Sequence, residues 1–177
     1  MLDKAKKILR KKISAKRIRI HGDYHLGQVL YTGNDFVIFD FEGEPARSLS
    51  ERRLKYPPLR DVAGMIRSFH YAAYSTLYQE SSVRPEDFSE LEPWADLWYY
   101  YLGGVFLDTY LETVSGSSIL PEERENLKRL LETFLLEKAV YELGYEVDNR
   151  PDWVNIPIKG IKFILKEKLG SDKGEKS

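Results

Sequence analysis

The chain changes rhythm twice. From Leu2 to Ile13, apolar residues recur at helical spacing (Leu2, Ala5, Leu9, Ile13) among lysines and arginines, which predicts a basic amphipathic helix over 1–16. Residues 17–42 then switch to strand-like patterns. Arg17-Ile18-Arg19-Ile20 alternates, and Gln28-Val29-Leu30-Tyr31 and Phe36-Val37-Ile38-Phe39 are short apolar runs, so three strands are expected. Thr32-Gly33-Asn34-Asp35 lies between the last two, and Gly and Asn tolerate the positive φ of a tight turn, so these two strands should pair as an antiparallel hairpin.

After residue 58 the helical period returns. Val62, Met65, Ile66, Phe69, Ala73 and Leu77 mark one stripe of a helix that starts beyond the Pro57-Pro58 break, with Asp61 as a cap or first-turn acid. A second helix is predicted from Pro93 to about Val114. A third runs from Pro121, with Glu122 and Glu123 at the positive end of its dipole, to Leu143, where Gly144 reads as a stop. Ile156 to Leu169 forms a last helix, and the remainder is a charged tail. The reading is therefore α+β, mainly α, in one unit: a basic helix (1–16), a strand-rich segment (17–46), a helical subdomain (58–170) and a flexible tail (171–177).

Composition narrows this picture. At 177 residues and 42% hydrophobic content the chain can bury one core. The net charge of -1 hides an asymmetry: residues 1–20 hold nine Lys or Arg against Asp3 alone, and the other 157 hold 18 basic and 27 acidic residues. A basic head could bind phosphates, but the chain's aromatic residues are not interleaved with this Lys and Arg run, so nucleic acid is the lowest-ranked partner. The absence of cysteine excludes disulfides and thiolate metal sites. No apolar run is long enough to span a membrane and no signal peptide is evident, which predicts a cytoplasmic protein.

The candidate chemistry lies around the hairpin. His21-Gly22-Asp23-Tyr24-His25-Leu26-Gly27-Gln28 precedes it and Asp40-Phe41-Glu42-Gly43-Glu44-Pro45 follows it. Phosphoryl transfer asks for a carboxylate to orient the acceptor hydroxyl and for oxygen ligands to hold Mg²⁺ on the nucleotide phosphates, and Asp23, Gln28 and Asp40 could converge to supply them. Each alone could equally be a turn residue. Further along, Tyr141 and Tyr145 would share a helix face if that helix continued through Gly144, and Trp153 and the cluster Trp94, Trp98, Tyr99, Tyr100 and Tyr101 could offer sugar platforms or simply pack.

The His-Gly-Asp triplet, followed by four residues and an amide, resembles the aminoglycoside and choline kinases, with Gln28 where that pattern has Asn. The longer run through Leu26-Gly27-Gln28-Val29-Leu30, then Asp40 to Arg47, Leu49 to Arg53 and Pro58 to Met65, resembles the maltokinases, free or fused to trehalose synthase. Lys138 to Glu146 and Asn149 to Trp153 resemble the same family's C-terminal signature. The resemblance implies the C-terminal lobe of a protein-kinase-like fold and ATP-dependent phosphorylation of maltose to maltose 1-phosphate. It makes Asp23 the catalytic base and Gln28 and Asp40 the Mg²⁺ ligands. From the residues themselves, His25 could donate to a sugar hydroxyl or stabilise its own loop, Tyr141 and Tyr145 could stack on glucose units or belong to the core, and His21 and Asp61 read as supports of the site.

No Gly-rich phosphate loop occurs, and the sixteen residues before the strand-rich segment leave no room for the nucleotide-clamping lobe. The expected partner is therefore that lobe or trehalose synthase. The rival readings are a non-catalytic binding module and a kinase for another small molecule, such as an amino sugar or amino alcohol.

Overall fold

The structure, a computed structural model, describes residues 13, 15–79 and 83–171. The predicted basic helix and the far tail fall largely or wholly outside these residues. The fold is α+β and mainly α. Two short strands, β1 (Val29–Tyr31) and β2 (Phe36–Ile38), precede a one-turn helix α1 (Leu49–Arg52) and four long helices: α2 (Leu59–Gln79), α3 (Phe88–Thr113), α4 (Arg124–Asn149) and α5 (Asn155–Ser171).

The strands pair antiparallel, with Val29 opposite Ile38, Leu30 opposite Val37 and Tyr31 opposite Phe36. Within the intervening turn only Gly33 takes a positive φ, and Thr32 N–H donates to the Asp35 carbonyl at 2.9 Å. The third expected strand does not join them. Ile18 instead makes one isolated antiparallel bridge with Tyr56, two backbone hydrogen bonds of 3.0 Å each, because a single residue of the segment before α2 is all that runs beside it.

The helix α2 is the axis of the molecule. Its apolar stripe buries Leu59, Val62, Ala63, Met65, Ile66 and Phe69 against Tyr99 of α3 and Leu131 and Phe134 of α4. Tyr74 and Leu77, further along, pack with Ile156 of α5. Arg67 is fully buried on the same helix. A side chain at Gly160 would displace its guanidinium, so glycine at that position lets α5 cross close over α2 without moving Arg67.

Two helix boundaries differ from the sequence reading. The α3 helix begins at Phe88, after a 3-10 turn at Pro85–Asp87, and carries Pro93 as its sixth residue, so proline marks an early turn and not the start. The α4 helix begins at Arg124 and continues through Gly144 to Asn149. Tyr141, Glu142, Tyr145 and Glu146 lie on this last part, and Arg67 and Tyr71 of α2 bind its two glutamates. Those contacts outweigh the modest helix cost of one glycine, and Pro151 supplies the stop instead.

Candidate active site

The loop 21–28 is fastened to α2 at three points. Both carboxylate oxygens of Asp61 accept backbone N–H groups, from His21 at 2.7 Å and from Gly22 at 3.0 Å. Ser68 Oγ accepts the Leu26 N–H at 3.1 Å. Between them, a Cβ on Gly64 would lie 2.6 Å from the Tyr24 carbonyl oxygen, so glycine lets the loop rest directly on the helix. Burial raises the Asp61 carboxyl above the ordinary aspartate value, although both N–H bonds and the nearby His21 and Arg60 pull the other way.

His21 is buried under the loop. Its Nε2 lies 2.8 Å from the Phe39 carbonyl and its ring rests 4.7 Å from that of Phe41, which ties the loop to the segment leaving β2. Here Asp40 adopts φ +63°, a left-handed conformation uncommon outside glycine, and accepts a hydrogen bond from Gln28 Nε2 at 2.9 Å. Strain of this kind clusters at functional positions. The expected metal ligands are thus in contact across the hairpin.

An Mg²⁺ ion brought in on nucleotide phosphates takes few protein ligands, and an amide oxygen and a carboxylate are the hard donors it prefers, so Gln28 and Asp40 fit it. Among the described residues, no three acidic, histidine or cysteine side chains gather as a metal site by themselves. Glu44 shares the Lys138 ammonium with Asp23.

Asp23 borders a cavity of about 500 Å³ that is also lined by His25, Glu44, Lys138, Tyr71, Tyr141, Glu142, Tyr145 and Glu146. The structure therefore brings His25, Tyr141 and Tyr145 to the same cavity as Asp23, and places Gln28 and Asp40 outside its lining. The His25 ring also serves its own loop: Nδ1 accepts the Gly27 N–H at 3.0 Å and Nε2 lies 3.6 Å from Asp23. Burial would raise the Asp23 carboxyl, but the His25 hydrogen bond and the Lys138 ammonium bring it down to about 2. Asp23 is thus ionised at any ordinary pH.

The far wall is a charge network. Arg67 donates through Nε and Nη2 to Glu142 at 2.9 and 2.7 Å, Tyr71 hydroxyl donates to Glu146 at 3.0 Å, and Arg150 donates to both oxygens of Glu146 at 2.7 and 2.8 Å. Burial pushes the Glu142 carboxyl up against the pull of Arg67. Near Glu44, burial and that carboxylate push the Tyr141 hydroxyl up to about 12.

Sequence reasoning did not single out Lys138, Tyr71, Glu142 or Glu146. The last two and Lys138 are spaced by four on α4, a signal that could have placed them on one face. The aromatic cluster goes elsewhere: Tyr99 is buried beside His70 and Phe163, and Trp94, Trp98, Tyr100 and Tyr101 are exposed along α3, away from the cavity. Trp153 packs with Tyr74 and Ile156, its ring under the Arg150 guanidinium at 4.4 Å.

No family model matches the chain. Two curated glucosamine kinases do. One from Streptacidiphilus jiangxiensis is 28% identical over 152 residues, 86% of this chain and 32% of that protein, and one from Mycolicibacterium smegmatis is 29% identical over 148 residues, 83% and 34%. Among solved structures, a glucosamine kinase in complex with glucosamine, ADP and inorganic phosphate aligns with a TM-score of 0.73 at 26% identity, over 88% of this chain and 37% of that one. A second crystal form of glucosamine kinase aligns with a TM-score of 0.71 at 27% identity, over 86% and 34%. The chain thus spans about a third of the length of the relatives it matches, and those relatives are sugar kinases.

Proposed function

We propose that this chain supplies the acceptor-binding and catalytic part of an ATP-dependent sugar kinase whose acceptor is an amino sugar. The observation that carries this reading is Asp23 at the edge of a sugar-sized cavity, an ionised carboxylate on a loop pinned to α2, with the Gln28–Asp40 pair across the same hairpin. Asp23, Glu44, Glu142 and Glu146 line the cavity against Lys138 and Arg150, with Arg67 behind Glu142, which leaves a small acidic excess that suits an acceptor carrying an ammonium group. The similarity to glucosamine kinases points the same way.

In this reading a sugar hydroxyl hydrogen-bonds to Asp23, which orients it towards the γ-phosphorus of ATP. As the new O–P bond forms and the bond to the leaving ADP oxygen breaks, the hydroxyl proton passes to the Asp23 carboxylate. A carboxyl at about 2 is a weak base, so orientation comes first and proton transfer follows late. Gln28 and Asp40 would hold Mg²⁺, which supplies charge neutralisation on the phosphates.

Maltose is the second reading, favoured by the maltokinase-like motifs and by Tyr141 and Tyr145 on one cavity wall, where aromatic faces could stack on glucose units. The deciding experiment measures phosphate transfer from ATP with Mg²⁺ to glucosamine and to maltose. It uses the chain itself and a chimera in which it replaces the matched third of the Streptacidiphilus glucosamine kinase, each with an Asp23→Asn control. Glucosamine phosphate from the chimera, lowered about 10²- to 10⁴-fold in the control, is the expected result. Preference for maltose would move the second reading forward. A folded, ATP-binding chimera that phosphorylates neither sugar would rule out both acceptor readings.

A further inference from the structure

One lysine joins the two acidic ends of the site. Lys138 reaches from α4, 115 residues along the chain from Asp23, and places Nζ 3.3 Å from Asp23 Oδ1 and 3.6 Å from Glu44 Oε2. Its ammonium also lies 5.2 Å from the centre of the Tyr141 ring. Both carboxylates are largely withdrawn from solvent, with 15% of each side chain accessible. His25 lies 3.6 Å from Asp23 on the other side, and a smaller cavity that Asp23 also lines carries Arg47, Arg60, Asp61, Glu137 and Tyr141. A lysine shared by two half-buried acids in a cavity is more than a surface pair, for which little energy and no fixed geometry would be expected.

Resting on the kinase reading above, we propose that Lys138 is a positioning residue for Asp23: its ammonium holds that carboxylate towards the acceptor hydroxyl, and is left facing the product phosphate when Asp23 becomes neutral. The balance of charge supports the second half. When the acceptor proton moves to Asp23, the lysine loses one of its two anionic partners. At that moment the oxygen that was hydrogen-bonded to Asp23 carries the transferred phosphoryl group, the nearest new anion. The charge that held the base is thereby available to the product without any movement of the chain. Glu44 retains the other side of the ammonium throughout, so Lys138 is neither free to leave nor fully neutralised.

The test has two readouts. In the chain itself, carboxylate ¹³C NMR follows the titration of Asp23 in wild type, Lys138→Met and Lys138→Arg. In the chimera described above, kcat, KM for the acceptor and inhibition by the sugar phosphate are measured for the same variants. Lys138→Met should move the Asp23 titration up from about 2 by at least one pH unit, because the burial that raises it is then opposed by His25 alone. It should also lower kcat on the order of 100-fold with KM little changed, and weaken product inhibition. Lys138→Arg should restore most of both.

An unmoved Asp23 titration in a folded Lys138→Met protein would overturn the role of Lys138 and leave the kinase reading standing. A wild-type chimera without transfer would instead remove the reading on which that role rests. Should Lys138→Met fail to fold, Lys138→Gln gives the same comparison with a polar side chain.

Discussion

The loop that carries Asp23 and the hairpin that follows it are adjacent in sequence and opposite in how they are held. The loop 21–28 is bolted to α2 by Asp61, Ser68 and the close approach at Gly64. The hairpin reaches the core through Val29 and is tied to the loop near Phe39 and Phe41, while its strands face outward. Leu30, Tyr31 and Phe36 are 56%, 67% and 65% exposed, and Val37, Ile38, Phe39 and Phe41 are exposed with them. Yet the hairpin carries Asp40 and sets it against Gln28. Asp23, the proposed base, therefore depends on the helical core, and Gln28 and Asp40, the proposed metal pair, depend on a two-stranded ribbon, which is marginal in water without further packing. An exposed apolar surface of this kind is the sort that marks an interaction face.

Three measurements would break or sharpen this contrast. The largest effect is expected from Asp61→Ala, which strips two loop N–H groups of their acceptor. Set against the recovered cost of burying a carboxylate, it should lower the unfolding free energy by about 2 kcal/mol and disorder Asp23. Urea unfolding and the NMR signals of residues 21–25 would show it, and an intact loop would mean that Ser68 and Gly64 suffice.

Next comes the pH dependence of the core beneath the loop. His70 is buried between the rings of Tyr74 and Tyr99, and burial, then Arg67 and Lys159, bring it from 6.5 down to about 2. Below pH 6.5 the unfolded chain takes up a proton that the folded chain refuses, so this group removes stability as pH falls, and its contribution is complete above that value. The expected slope is about 1.4 kcal/mol per pH unit below 6.5. Because the raised carboxyls of Asp61 and Glu142 act in the opposite direction, the quantity to measure is the difference between wild type and His70→Phe. A difference that does not vary with pH would show that the histidine is protonated in the fold.

The smallest effect is expected in the hairpin. Val37→Thr keeps the β-branch on an exposed strand and should change stability by less than about 0.5 kcal/mol. A larger loss in thermal unfolding would show that the hairpin face is covered in solution.

Much of this protein was legible because it is local. The stripe Val62 to Leu77 specified α2, Thr32-Gly33-Asn34-Asp35 specified the turn, and the strings around Asp23 and Asp40 marked the two ends of the candidate site. Local signals misled where a long-range contact outweighed them: Gly144 reads as a helix stop until Arg67 and Tyr71 are seen to hold the glutamates on either side of it. Tyr99 reads with its aromatic neighbours until the packing of α3 buries it and leaves Trp94 and Trp98 outside. By itself the sequence determined the helices, the hairpin and the acids of the loop, since helix period, turn chemistry and short motifs act over a few residues. Only the tertiary structure decided that Lys138 meets Asp23, that Asp61 holds the loop and that the far wall of the cavity is a charge network. One lysine among many has no local mark of its partner, and a pairing across 115 residues exists only once helices have packed.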